Sequence, residues 1–176
     1  MRRLRFSATV GSLVVLLAAP LSANVRLPHV IGSHMVLQRD MVVPIWGWAD
    51  VGEEVTVRIT DRQATTVADS KGRWMIRLDP LPVGGPLEMS VTGKNKIKLT
   101  NILVGEVWVG SGQSNMQMSV AAAATPKKEI AAADYPKIRL FNVPMRPAGK
   151  PAGDVDARWK VCSPEVIGRF SAAAYY

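Results

Sequence analysis

Hydrophobic and polar positions alternate with a period of two through residues 25–104, and turn residues punctuate the alternation. Met41 to Trp48 is apolar and β-prone, and Asp50-Val51-Gly52 turns the chain after it. Val55, Val57 and Ile59 share one face of the next run, and Ala64 to Ala68 offers another. Asp69-Ser70-Lys71-Gly72 reads as a hairpin connection into a strand that carries Trp74, Ile76 and Leu78 on one face. Pro80, Pro82, Gly84, Gly85 and Pro86 mark a loop, then Leu87, Met89 and Val91 alternate again. Gly93-Lys94-Asn95 turns into Ile97 to Leu103. No helical window interrupts these runs. Regular short strands of this kind predict an antiparallel β-sandwich over residues 24–104.

The period changes at Gly105. Val107 to Val109 reads as a short buried strand of the parallel-sheet kind. Ala121 to Ala124 and Glu129 to Ala133 are good helix formers, with Pro126 placed to begin a helical turn. Asp134-Tyr135-Pro136 ends that segment, and Lys137 to Val143 is the next predicted strand. Strand–helix–strand spacing predicts a right-handed βαβ unit. Pro144, Pro147, Gly149 and Pro151 mark an irregular loop, Trp159 to Cys162 another short strand, and Phe170 to Tyr176 the opening of a helix without a C-cap. The fold class is therefore α/β: a β-sandwich followed by the start of a parallel α/β domain over 105–176.

Before both parts stands a different pattern. Arg2-Arg3-Leu4-Arg5 is a basic start, Val10 to Leu21 is apolar but short for a membrane span, and Leu21-Ser22-Ala23 ends on small residues. Residues 1–23 read as a cleavable signal peptide, which predicts a secreted or periplasmic protein with no membrane attachment after cleavage. Those residues hold three arginines and no acid, so the remainder carries +5 of the total charge of +8. Spread along the chain without a basic–aromatic run, this charge gives nucleic-acid binding little support. The single cysteine, Cys162, lies between Val161 and a Ser-Pro turn and reads as a buried small hydrophobe. No Cys/His spacing suggests a metal site, and no cofactor is expected. Trp46, Trp48 and Trp74 are expected in the sandwich core, with sugar stacking as the alternative. His29 and His34 are expected on the surface or a strand edge, since nothing places either near the candidate site.

That site is Glu106-Val107-Trp108-Val109-Gly110-Ser111-Gly112-Gln113-Ser114-Asn115-Met116. Two glycines break an apolar run, and Ser114 follows at a strand-to-helix turn. Unpaired N–H groups and the dipole at a helix start favour negative charge beside such a serine, which suits an oxyanion in acyl transfer. The stretch lacks the second glycine of the G-x-S-x-G elbow and the Gly-Lys-Ser/Thr of a P-loop. On the residues alone, a catalytic Ser114 and a merely polar turn both stand.

Gly112-Gln113-Ser114-Asn115-Met116 after Glu106-Val107-Trp108 resembles the nucleophile block of the sialate O-acetylesterase family, within the SGNH (GDSL-like) hydrolases. Met35-Val36-Leu37-Gln38-Arg39, Pro44-Ile45-Trp46-Gly47, Trp159-x-Val161-Cys162-Ser163-Pro164 and Phe170-Ser171-Ala172 follow the same family in order. The resemblance implies a flavodoxin-like SGNH hydrolase domain over 105–176, with Ser114 as nucleophile and Gly112, Gln113, Ser114 and Asn115 at the oxyanion and substrate. It implies an O-acetylated sugar as substrate and a carbohydrate esterase acting through an acetyl-serine. The family's Asp-x-x-His and later glycine and asparagine blocks have no match, and no histidine follows Ser114. The chain is thus expected to be an N-terminal fragment of a sialate O-acetylesterase, nearly inactive alone. An acetylxylan esterase is the alternative substrate reading. A non-catalytic β-sandwich carbohydrate-binding module, or a domain that docks on a separate hydrolase, is the alternative class.

Overall fold

The computed structural model describes residues 24–176; the expected signal peptide, residues 1–23, lies outside the described residues. Seven strands come first: β1 (Val36–Gln38), β2 (Val43–Trp48), β3 (Glu54–Ile59), β4 (Arg62–Val67), β5 (Arg73–Leu78), β6 (Gly84–Thr92) and β7 (Lys96–Gly105). Each predicted alternating run becomes a strand. The period-two pattern is visible as burial: β3 buries Val55, Val57 and Ile59, and β5 buries Trp74, Ile76 and Leu78. Removing each of the aliphatic side chains among these from water is worth roughly 1.5–3 kcal/mol, which fixes the register of the strands that carry them.

The strands form a five-stranded sheet in the order β1-β7-β6-β3-β4 and a two-stranded sheet, β2-β5. Apolar residues of both sheets join one core, among them Ile45, Val57, Ile59, Ile76, Met89, Val91 and Ile102. Two details depart from the predicted all-antiparallel arrangement. β1 runs parallel to β7, with Gln38 opposite Gly105. The Asp69–Gly72 turn forms, its Asp69 Oδ1 accepting the Lys71 and Arg73 N–H groups at 2.8 and 2.9 Å, yet it carries the chain from one sheet to the other. Trp74 is buried in this core. Trp46 packs partly buried against it, and Trp48 is half-buried with the Arg26 guanidinium 5.6 Å from its ring centroid.

Glycine is required at Gly47. A Cβ there would stand 2.1 Å from the Arg26 carbonyl oxygen and 3.0 Å from Trp74 Cζ2. Arg26 crosses beside β2, exchanging hydrogen bonds of 2.8 and 2.9 Å with Trp48, so its backbone occupies the space of a side chain at 47.

The rest of the chain buries a second, smaller core of Val120, Ala133, Leu140, Cys162, Ile167 and Ala172. Its elements are α1 (Pro126–Ala132), β8 (Tyr135–Phe141), β9 (Trp159–Cys162) and the short helices α2 (Pro164–Ile167) and α3 (Ala172–Tyr175). Pro126 starts α1 as expected. The predicted βαβ unit is not formed among the described residues. Val107–Val109 is not a strand and is exposed, with Trp108 and Val109 each 89% accessible, and β8 pairs antiparallel with β9. A strand buried on both faces needs neighbours to satisfy its backbone and cover its side chains. No strand pairs with residues 107–109 among the described residues. The mostly-sheet α/β class holds, and the parallel unit does not.

Polar contacts among the described residues tie the second part to the first, where Trp159 also packs against the first core. Trp159 Nε1 donates to the Val30 carbonyl at 2.8 Å, Arg139 donates to Asn101 Oδ1 at 3.0 Å, and Asp154 binds His29.

Candidate active site

Ser114 opens a short 3₁₀ turn, Ser114–Gln117, preceded by Gln113 in extended backbone. The Met116 N–H closes the turn onto the Gln113 carbonyl at 2.9 Å. The N–H groups of Ser114 and Asn115 donate to no backbone carbonyl among the described residues, as holds for the first amides of any helical turn. Gly112, Gln113, Ser114 and Asn115 are all exposed. No hydrogen-bond partner stands at the Ser114 hydroxyl among the described residues. The predicted strand-to-helix junction is therefore an open loop entering a single 3₁₀ turn, with the four predicted residues side by side on it.

Packing explains the two glycines ahead of the serine. A Cβ on Gly110 would lie 3.0 Å from both Ala174 Cβ and Met116 Cε, and one on Gly112 would lie 3.0 Å from Met116 Cγ. The Met116 side chain thus lies back across both glycines, closer than an added methyl allows.

The loop is anchored at both ends. Behind the serine, the Ala172 N–H donates to the Met118 carbonyl at 2.8 Å, Val120 N–H to Phe170 at 3.0 Å and Ala121 N–H to Gly168 at 3.1 Å. Buried Val120 and Ala172 seat this edge in the second core. Ahead of the serine, the end of β1 holds the chain leaving β7. Arg39 N–H donates to the Gly105 carbonyl at 2.9 Å, and Arg39 Nε pairs with Glu106 Oε1 at 2.8 Å. Gln38 Nε2 donates to Glu106 Oε2 at 3.0 Å while Gln38 Oε1 accepts the Val107 N–H at 2.8 Å. In the sequence Gln38, Arg39 and Glu106 stand only as parts of motifs. The one signal for their joint role is two polar residues at the end of an apolar strand and an acid at the head of an apolar run.

The histidines lie elsewhere. His29 Nδ1 is 2.8 Å from Asp154 Oδ2, and its backbone N–H donates to Asp154 Oδ1 at 2.9 Å. Burial pushes the Asp154 carboxyl up, but the His29 backbone and ring and the Val155 N–H outweigh it and hold the group below its usual range. His34 Nδ1 meets Asn101 Nδ2 at 2.8 Å. Both are surface or edge histidines, and neither is hydrogen-bonded to Ser114. Glu165 is engaged by the Ser163 hydroxyl at 2.5 Å. Among the described residues, then, Ser114 has no base and no orienting carboxylate within hydrogen-bond reach.

Two open clefts of about 540 and 390 Å³ are lined by Asn142, Arg158, Lys160, Glu165 and Arg169, and by His29, Ser33, His34 and Trp159. Neither includes a residue of the serine loop. Cys162 is fully buried, its Sγ 3.8 Å from the Ala133 carbonyl. Burial, with the Asp134 carboxylate, raises its thiol above the ordinary value against the pull of the Tyr135 N–H. A neutral buried thiol is no nucleophile. Among the described residues no three His, Cys, Asp or Glu side chains group as metal ligands, and no helix is long and apolar enough to cross a membrane.

No family model matches the chain. It is 33% identical over 164 residues to the sialate O-acetylesterase of Rattus norvegicus, a match covering 84% of this chain and 30% of the rat protein. It is 34% identical over 174 residues to the sialate O-acetylesterase of Homo sapiens, covering 89% of this chain and 33% of the human protein. A carbohydrate acetylesterase from Xanthomonas citri superposes with a TM-score of 0.83 at 33% identity, over 86% of this chain and 35% of that one. The chain spans about a third of the length of these relatives, and over that span it is similar to the sialate O-acetylesterase family.

Proposed function

We propose that this sequence is part of an exported esterase that removes O-acetyl groups from sugars, with Ser114 as nucleophile. The observation that carries the reading is an exposed serine at the start of a 3₁₀ turn, its own N–H and that of Asn115 donating to no backbone carbonyl among the described residues, on a loop anchored at both ends. Its relatives, two sialate O-acetylesterases and a carbohydrate acetylesterase, support the substrate class. In this reading Ser114 Oγ attacks the acetyl carbonyl carbon, the N–H groups of the turn bind the oxyanion, and the sugar oxygen leaves with a proton. Water then attacks the acetyl-serine and releases acetate. Gly112, Gln113 and Asn115 border the acyl group.

The base comes from the part of the family's length that this chain does not span. Residues 24–104 form the β-module, and residues 105–176 the start of an SGNH-type hydrolase domain. There, strands supplied by the same missing part would flank Val107–Val109 and cover Trp108. Residues 1–23 direct export. The test is acetate release from O-acetylated sialic acid and from acetylated xylan by protein of the relatives' full length, with and without Ser114→Ala. Loss of turnover by at least a thousandfold in the variant is expected. Turnover that survives the substitution would remove Ser114 from the chemistry, and preference for xylan would reassign the sugar.

A further inference from the structure

We infer that Gln38 is a positioning residue for the Ser114 loop, acting as a side-chain extension of the β1–β7 ladder. The inference rests on Ser114 being the nucleophile. β1 and β7 pair in parallel until Gln38 stands opposite Gly105, and there the regular ladder ends. The next residues, Glu106 and Val107, lead towards Ser114 and belong to no strand. In place of a neighbouring backbone they meet one primary amide. Gln38 Oε1 accepts the Val107 N–H at 2.8 Å, and Gln38 Nε2 donates to Glu106 Oε2 at 3.0 Å. An amide side chain offers one acceptor and two donors, the polarity of the peptide unit that a longer β1 would present.

The remaining Glu106 oxygen is fixed by Arg39 Nε at 2.8 Å. That guanidinium also reaches Asp40 at 3.2 Å. Glu106 is thus held by two side chains from consecutive positions of β1's end, and its backbone follows. The direction in which the chain leaves β7 is set there, eight residues before the serine. Downstream, Met116 packs so close to Gly110 and Gly112, and Ala174 to Gly110, that a Cβ at either glycine would stand 3.0 Å from its neighbour. The path from Gly105 to Ser114 is therefore constrained at both ends and free in the middle, where Trp108 and Val109 are exposed. Small displacement of a nucleophile relative to its oxyanion donors lowers turnover far more than it lowers binding.

The amide chemistry permits a reciprocal test. In Gln38→Glu the donor to Glu106 is lost and two carboxylates face each other, although an acceptor for the Val107 N–H remains. In Gln38→Glu combined with Glu106→Gln, the donor and acceptor exchange places. The bonds between positions 38 and 106 and to the Val107 N–H can re-form and an amide oxygen at 106 can still accept from Arg39 Nε, while the long 3.5 Å contact from position 38 to the Arg39 carbonyl is given up. The variants are made in full-length protein, beside Ser114→Ala, and assayed for kcat, KM and Tm on p-nitrophenyl acetate. Gln38→Glu is expected to lower kcat at least tenfold with KM within about twofold, and the double variant to return kcat to within about threefold of the parent. A Gln38→Glu enzyme with parental kcat overturns the positioning role. So does a double variant that stays as slow as the single one. Activity that persists in Ser114→Ala overturns the nucleophile assignment itself, a failure visible independently of the Gln38 variants.

Discussion

Gly47→Ala tests whether the crossing of Arg26 over β2 is as tight as the geometry states. The added methyl would sit 2.1 Å from the Arg26 carbonyl oxygen and 3.2 Å from its carbonyl carbon, where ordinary contact begins near 3.4 Å. More than an ångström of movement is needed. Neither obstacle is a flexible side-chain end, because the oxygen belongs to backbone and Trp74 Cζ2, at 3.0 Å, belongs to a buried ring. Moving residue 26 breaks its two hydrogen bonds with Trp48, worth about 1 kcal/mol each. Overpacking the remaining contact costs about 1–3 kcal/mol. Restricting the unfolded chain offsets about 0.4–1 kcal/mol of this. The net loss is about 3 kcal/mol, or a fall in Tm of roughly 6–12 °C for a domain of this size. Urea unfolding gives the free energy, and amide exchange at Arg26 and Trp48 locates the damage. Gly149→Ala, where a Cβ meets nothing within 4 Å, is the control and is expected to be neutral. A Gly47→Ala protein with unchanged urea midpoint and protected Arg26 and Trp48 amides would refute the reasoning.

Glu53 is the buried carboxylate of the first core, and its oxygens accept the Asp50 N–H at 2.9 Å and the Lys94 N–H at 2.6 Å. Glu53→Ala strands both donors and should cost about 2–4 kcal/mol in urea unfolding; a loss under 0.5 kcal/mol would mean that water replaces the carboxylate. Cys162 should resist a thiol-specific disulfide reagent in the native protein and react once urea unfolds the second core; prompt native labelling would contradict its burial. The folded Asp154 carboxyl lies below its ordinary value, so what it adds to stability is complete above the ordinary value and disappears as pH falls through the lower folded one. Asp154→Asn should therefore destabilise the protein at pH 7, and the difference from the parent should shrink as pH falls below the ordinary carboxyl range; a difference that does not shrink in acid would show that charge is not the cause.

The strands between residues 36 and 105 were legible because two signals agree there. Alternation fixes which face is buried, and Gly, Pro, Asp and Asn mark the turns. What alternation does not encode is the neighbour of each strand. Asp69–Gly72 has the chemistry of a tight turn whether or not its flanking strands pair, and here it leads from the five-stranded sheet into the two-stranded one. The three residues of β1 are too few to carry a period, and their parallel partner lies 67 positions away. Val107–Val109 misled for the complementary reason. An apolar run says that a segment gains by being covered and says nothing about what covers it, so the same three residues stand exposed among the described ones.

Ser114 and its glycines were legible as a local pattern, since a turn, a small-residue approach and a polar run all lie within five positions. The device that aims the loop was not, because Gln38 and Glu106 are 68 residues apart and each looks like an ordinary surface polar residue. Their hydrogen bonds join two stretches that stand in the sequence as separate motifs. Val36–Gln38 is the short strand that pairs with β7, and the side chains of Gln38 and the following Arg39 are what the chain presents where the ladder ends. Gly105-Glu106-Val107 is what receives it. A substitution in the first stretch should therefore register at the second. Gln38→Leu keeps the shape of the side chain but removes both the donor and the acceptor, and it is expected to raise the exchange rate of the Val107 amide at least tenfold while amides within β6 remain protected. Uniform loss of protection would instead mean that Gln38 supports the sheet as a whole. An unchanged Val107 rate would mean that the loop is aimed from its Met116 end alone.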